Sequence, residues 1–149
     1  MPLPSQQSPV LGLNLPGAGD PDYNPNGAIH LITAALLALE AQVFGRTKYT
    51  AAGAISIQNG TAILKAGSAA AMTLPAPIAG LPGAGGHDGM RLAIVAEDAF
   101  AYTVTGPANS INGAKHIATW TAAVGNSIEL LADNGAWLTV GTPQGVALT

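Results

Sequence analysis

The sequence predicts a mainly β fold: a small antiparallel sandwich or barrel with one N-terminal α-helix and an extended N-terminal arm. Three observations predict it. From residue 50 onward, apolar residues recur with period two in short runs. Turn signals such as Asn59-Gly60 and Asp133-Asn134-Gly135 separate those runs at roughly 8–12-residue spacing. One stretch of helical period precedes them, over 26–44. The chain is therefore expected to divide into an arm over 1–25, an amphipathic helix over 26–45 and a β-rich domain over 50–149.

Residues 1–25 carry Pro2, Pro4, Pro9, Pro16, Pro21 and Pro25. Each proline fixes its own φ and pushes the preceding residue to extended geometry, so the segment is expected to be an arm. Val10, Leu11, Leu13 and Leu15 give it an apolar edge that a solvated tail has no use for, and they suit docking on another surface.

The helix over 26–44 has Asn26 as N-cap after Pro25 and Gly45 as its stop. Arg46 and Lys48 follow near the negative end of its dipole. Ile29, Ile32, Leu36, Leu39 and Val43 fall at alternating three- and four-residue steps, an a/d seam. That seam has two readings: packing against the chain's own sheet, or self-association around a symmetry axis.

Beyond residue 50, the runs 54–58 and 61–65 flank Asn59-Gly60 and read as a hairpin. A strand over 71–74 precedes a loop over 75–89 rich in proline and glycine. Strands over 91–96 and 100–105 follow, joined through Glu97-Asp98, with Phe100, Tyr102 and Val104 on one face. Further strands are expected over 116–120, 127–132, 136–140 and 145–148, the middle two joined by a turn at Asp133-Asn134-Gly135. No sequence repeat stands out.

Composition narrows the function. Charged residues are 9% of the 149 residues, against about 25% in ordinary domains. Hydrophobic residues are 48%, enough to fold, but aromatics are 5%. Much of the apolar content is alanine, which buries little area, so additional apolar burial between subunits is expected. Net charge is −3, and the basic residues Arg46, Lys48, Lys65, Arg91 and Lys115 are scattered. Such a pattern does not suit a phosphate backbone, so no nucleic-acid partner is expected. With no cysteine, disulfides and thiol catalysis are excluded. No apolar run is long enough to span a membrane, and the N-terminus lacks a basic signal-peptide region. Assembly in a cytoplasm is the expectation.

Catalytic constellations are not apparent. His30, His87 and His116 lie far apart in sequence, and His87-Asp88 sits in a glycine-rich loop that suits solvated polarity. Glu97-Asp98 and Asp133 fall in expected turns, where carboxylates cap backbone amides. Asp20 and Asp22 lack the further oxygen ligands of a calcium loop. The glycine clusters at 17–19 and 83–86 lack the lysine and hydroxyl of a phosphate loop. Trp120 and Trp137 are expected in the core or at a subunit interface. No catalytic residue, cofactor or metal is assigned.

Several segments together resemble a β-module of phage and prophage virion proteins. They are Leu74-Pro75-Ala76-Pro77, the run from Asp88-Gly89-Met90-Arg91 to Val95, Ala101-Tyr102-Thr103-Val104-Thr105-Gly106-Pro107, Ile111-Asn112-Gly113, Asn134-Gly135-Ala136-Trp137 and Gly141-Thr142. The opening Leu13-Asn14-Leu15-Pro16-Gly17-Ala18-Gly19-Asp20 is similar to that of many tail and head-decoration proteins, although Tyr23 stands near where a tryptophan is usual. The resemblance implies a capsid decoration (cement) protein with a β-tulip-like fold, a homotrimer on the capsid exterior with the major capsid protein as its partner. It also implies an N-terminal arm that reaches onto the capsid, for which Val10, Leu11, Leu13 and Leu15 are the candidate capsid-binding residues. A tail-fibre or receptor-binding module is the alternative, and a tail-spike hydrolase domain a third.

Overall fold

The computed structural model describes residues 45–56 and 59–149, together with Gln6–Gln7, Asn14–Leu15 and Leu36. The chain divides into two units, Met1–Phe44 and Gly45–Thr149. In the first, β1 (Gln6–Gln7) and β2 (Asn14–Leu15) pair antiparallel, with Gln6 opposite Leu15. Leu36 is helical and 38% exposed. A helix over 26–44 is not shown beyond that residue. The arm residues Val10, Leu11 and Leu13, and the seam residues Ile29, Ile32, Leu39 and Val43, lie outside the described residues.

In the second unit, strands form largely where the period-two alternation places them: β4 (Gly53–Ala54), β5 (Gly60–Leu64), β6 (Ala70–Thr73), β7 (Arg91–Ala96), β8 (Tyr102–Thr105), β9 (Ile117–Trp120), β10 (Ser127–Asp133), β11 (Ala136–Thr139) and β12 (Val146–Leu148). Ahead of them, β3 (Arg46–Tyr49) is a strand not expected from the sequence, which places Arg46 and Lys48 at the end of a helix. They form two five-stranded sheets that do not close into a barrel. The first has the order β11-β10-β7-β5-β3 and the second β12-β9-β8-β6-β4.

The sheets are mixed, which corrects the antiparallel expectation. From β3 to β8 the chain crosses to the other sheet after every strand, so it winds in three coils. Neighbours within a sheet are therefore laid down one full coil apart and run parallel, β3 with β5 and β7, and β4 with β6 and β8. Between the second and third coils, Thr61 lies opposite Ala93 and Ala70 opposite Tyr102, a step of 32 residues in both sheets. The first coil is shorter, with Arg46 opposite Thr61 and Gly53 opposite Met72. Among the described strands of this unit, the antiparallel pairs all involve β9 to β12: β9 on β8, β12 on β9, and β10 on β7 and β11.

The expected hairpin at Asn59-Gly60 and the expected turn at Glu97-Asp98 are consequently crossovers. Asn59-Gly60 does not reverse the chain between paired strands, because β4 and β5 belong to different sheets. Gly60 instead admits a close approach by the preceding coil. Its φ is +91°, Thr61 N donates to Gly45 O at 2.7 Å, and a side chain at Gly60 would collide with that carbonyl. Glu97-Asp98 likewise begins a corner between sheets, and Phe100 sits exposed in that corner ahead of β8. The turn at Asn134-Gly135 forms as expected. Asp133 pairs with Ala136, and φ values of 47° and 80° at the two central residues match a type I′ hairpin.

Alternate residues of both sheets bury into one cluster. Leu64, Leu92, Ile94, Ile128, Leu130 and Trp137 come from the first sheet, and Met72, Tyr102, Val104 and Trp120 from the second. Each fully buried large side chain contributes about 1.5–3 kcal/mol of transfer free energy. The large polar side chains in this core are satisfied. Trp120 Nε1 donates to Asn126 O (3.1 Å), and Trp137 Nε1 to Pro75 O (3.0 Å). Tyr102 Oη donates to Asp98 Oδ1 and accepts from Ala66 N.

Candidate functional site

The coil corners hold the first cluster of ionisable groups. Glu97 begins the corner after β7, one coil above Lys65. Lys65 Nζ lies 2.7 Å from Glu97 Oε1, and Lys48 Nζ lies 2.6 Å from Oε2. Hydrogen bonds from Lys48 and then Lys65 hold the Glu97 carboxyl down at about 2, and the carboxylate in turn raises the Lys65 pKa. Beside it, Asp98 accepts from Gly67 N (3.0 Å) and from Tyr102. The Tyr102 pKa is raised, by burial first and by donation to Asp98 second. Every one of these groups has a structural partner, and the cluster ties three coils together.

The loop over 75–89 is a second cluster, and it is braced from within. Asp88 Oδ2 accepts from Gly80 N (2.8 Å), while Oδ1 accepts from Asn134 N (2.7 Å) in the β10–β11 hairpin. His87 N donates to Ile78 O (2.8 Å), and Ile78 N donates to His87 Nδ1 (3.0 Å). Gly86 packs so closely on Gly80 that no side chain fits there. A short 3₁₀ turn at Pro82–Ala84 closes the tip. His87 and Asp88 are thus braces rather than solvated loop polarity. A loop held by this many bonds nevertheless keeps Ile78 58% and Leu81 71% exposed. Below it, the ends of β4, β6 and β8 frame an apolar recess of about 400 Å³, lined by Ala54, Thr73, Leu74, Pro75, Thr105 and Pro107 among others.

The two outer sheet faces differ in chemistry. The first sheet carries Arg46, Lys48, Arg91, Glu129 and Asp133 on its strands, with Arg91 Nη1 2.8 Å from Glu129 Oε1. No strand of the second sheet contains a charged residue. Its outward positions form uncharged rows: the small side chains Ala71, Thr103, Thr119 and Ala147 in one, Thr73, Thr105 and the larger Ile117 in the next. The edges differ too. β11 is covered, because Trp137 N donates to Ser110 O, Asn112 N donates to Trp137 O, and Thr139 N donates to Asn112 Oδ1. No described strand pairs beyond β3.

Of the arm and seam residues named from sequence, the structure places two. Leu15 lies in β2 opposite Gln6, and Leu36 is helical. The surface features that sequence reading missed are the braced loop and the uncharged sheet. Asp88 and Asn134 gave no local sign of their contact, being 46 residues apart. The absence of charge from five particular strands could have been noticed only once those strands were known to share a sheet. Among the described residues, no three His, Cys, Asp or Glu side chains gather as metal ligands, and no helix is long and apolar enough to cross a membrane. Comparison with family models, curated proteins and solved structures found no match.

Proposed function

We propose that this chain is a structural virion protein, a homotrimeric capsid decoration (cement) protein that binds the outer capsid surface and stabilises contacts between capsomers. The observation that carries the reading is the pairing of a rigid loop holding Ile78 and Leu81 in solvent with a neighbouring sheet face free of charge. Braced apolar side chains lose little conformational freedom on contact, so they favour association. A flat face of threonine and alanine suits broad, close-fitting contact. The resemblance of 73–148 to phage virion modules supplies the partner, the major capsid protein. Trp120 and Trp137 are buried, so neither is available as the aromatic platform that a glycan-binding tip would use.

Two measurements test the proposal. Light scattering over a range of concentrations should give three chains per particle, and a stable monomer at micromolar concentration would count decisively against it. Co-sedimentation with undecorated capsid shells should recover the protein with the shells. Deleting residues 1–25 should leave a folded oligomer that no longer sediments with them; unchanged sedimentation would remove the arm from the proposal.

A further inference from the structure

We propose that Asn134 is a self-modification site, where loss of the side-chain amide to the Gly135 nitrogen yields an acid that releases the loop Asp88 braces. The inference rests on the brace geometry alone and stands whether or not the protein decorates a capsid.

Three Asn-Gly pairs fall within the described residues: Asn59-Gly60, Asn112-Gly113 and Asn134-Gly135. A glycine after asparagine leaves its nitrogen unhindered toward the preceding side-chain carbon, because it has no Cβ. The three pairs differ in what holds the amide. Asn112 is clamped: Nδ2 donates to Thr139 Oγ1 (3.0 Å) and Oδ1 accepts from Thr139 N (2.9 Å). Asn59 Oδ1 accepts from Arg91 N (3.3 Å), and Gly60 is packed against Gly45. The Asn134 side chain is exposed and makes no hydrogen bond among the described residues, and neither does Gly135 N. Only the backbone N–H of Asn134 is engaged, by Asp88.

The chemistry is redox-neutral and needs only water. Gly135 N bonds to Asn134 Cγ, the Cγ–Nδ2 bond breaks, and the amide leaves as ammonia with the proton from Gly135 N. Water then opens the five-membered imide. Opening at Cγ gives aspartate, and opening at the main-chain carbonyl gives isoaspartate, whose backbone runs through the former side chain. Either product sets a carboxylate beside Asp88, whose Oδ1 lies 2.7 Å from Asn134 N. Isoaspartate also lengthens the backbone of a two-residue type I′ turn, which that turn does not accommodate. Like-charge repulsion in either product, and the displaced backbone N–H in isoaspartate, weaken the anchor between residue 134 and Asp88, and the loop bearing Ile78 and Leu81 loosens.

The test is incubation of the full-length protein at mildly alkaline pH, followed by peptide mapping and isoaspartate-specific methylation. Acid should accumulate at Asn134 severalfold faster than at Asn112 or Asn59; equal or slower conversion overturns the site. Hydrogen exchange on aged protein and on the Asn134→Asp variant should become severalfold faster at Gly80 and across 78–88. Unchanged exchange in both overturns the link to the loop. Asn134→Gly keeps a turn-compatible residue and has no amide to lose, so its loop exchange should stay constant through the same incubation. Loosening at the same rate as in wild type would place the cause elsewhere.

Discussion

Lys65 and Glu97 stand one above the other on successive coils, 2.7 Å apart in space and 32 residues apart in the chain. The same step registers β5 on β7 and β6 on β8, so the ion pair marks the winding of the chain. Lys48 reaches the same carboxylate from the first coil.

That shared carboxylate sets an acid dependence. The Glu97 pKa falls from 4.5 to about 2 on folding, so its contribution is complete above pH 4.5 and is lost as pH falls through 2. The side chain is 34% exposed, which keeps the effect modest. Glu97→Gln should lower the urea midpoint slightly at neutral pH, with the difference from wild type closing under acid. A gap that persists below pH 2 would assign the loss to something other than charge.

Trp137→Phe should destabilise by about 1–3 kcal/mol, because a fully buried indole is replaced by a smaller ring and Pro75 O loses its donor at a part-buried site. Urea titration measures this. A neutral result would mean water reaches that carbonyl.

Asn112→Ala strips the side chain that caps the β11 edge at Thr139 N. A cost of about 1–2 kcal/mol is expected. Concentration-dependent association should also appear in light scattering, since an uncovered edge invites another strand.

Leu81→Asp changes a side chain that is 71% exposed, so stability should stay within about 0.5 kcal/mol of wild type. Binding to capsid shells should fall at least severalfold. Full binding would move the contact away from the braced loop.

Gly60→Ala should cost about 1–3 kcal/mol, since the new methyl meets the Gly45 carbonyl at a positive φ. Gly67→Ala, at a similar φ in open space, is the control that separates strain from collision.

Two identical dipeptides explain how much of this molecule could be read in advance. Asn134-Gly135 turns a hairpin, as its local chemistry dictates. Asn59-Gly60 has the same chemistry, yet Gly60 serves a neighbouring coil. Strand positions were legible because alternation is local: buried Leu92, Ile94 and Ala96 face inward as their spacing requires. Strand partners were not, because the coil step relates Thr61–Leu64 to 93–96 by position and not by residue identity. Asp88 looked like loop polarity because its partners, Gly80 N and Asn134 N, are backbone groups that leave no mark in sequence.

The uneven distribution of charge between the two sheets has a practical consequence for any assembly this protein enters. A contact made through the threonine and alanine rows should be indifferent to ionic strength, while one made through Arg46, Lys48 and Arg91 should weaken as salt shortens the Debye length toward about 3 Å at 1 M. Dissociation followed along a salt gradient would therefore report which side of the molecule faces its neighbour, before any image of the complex is obtained.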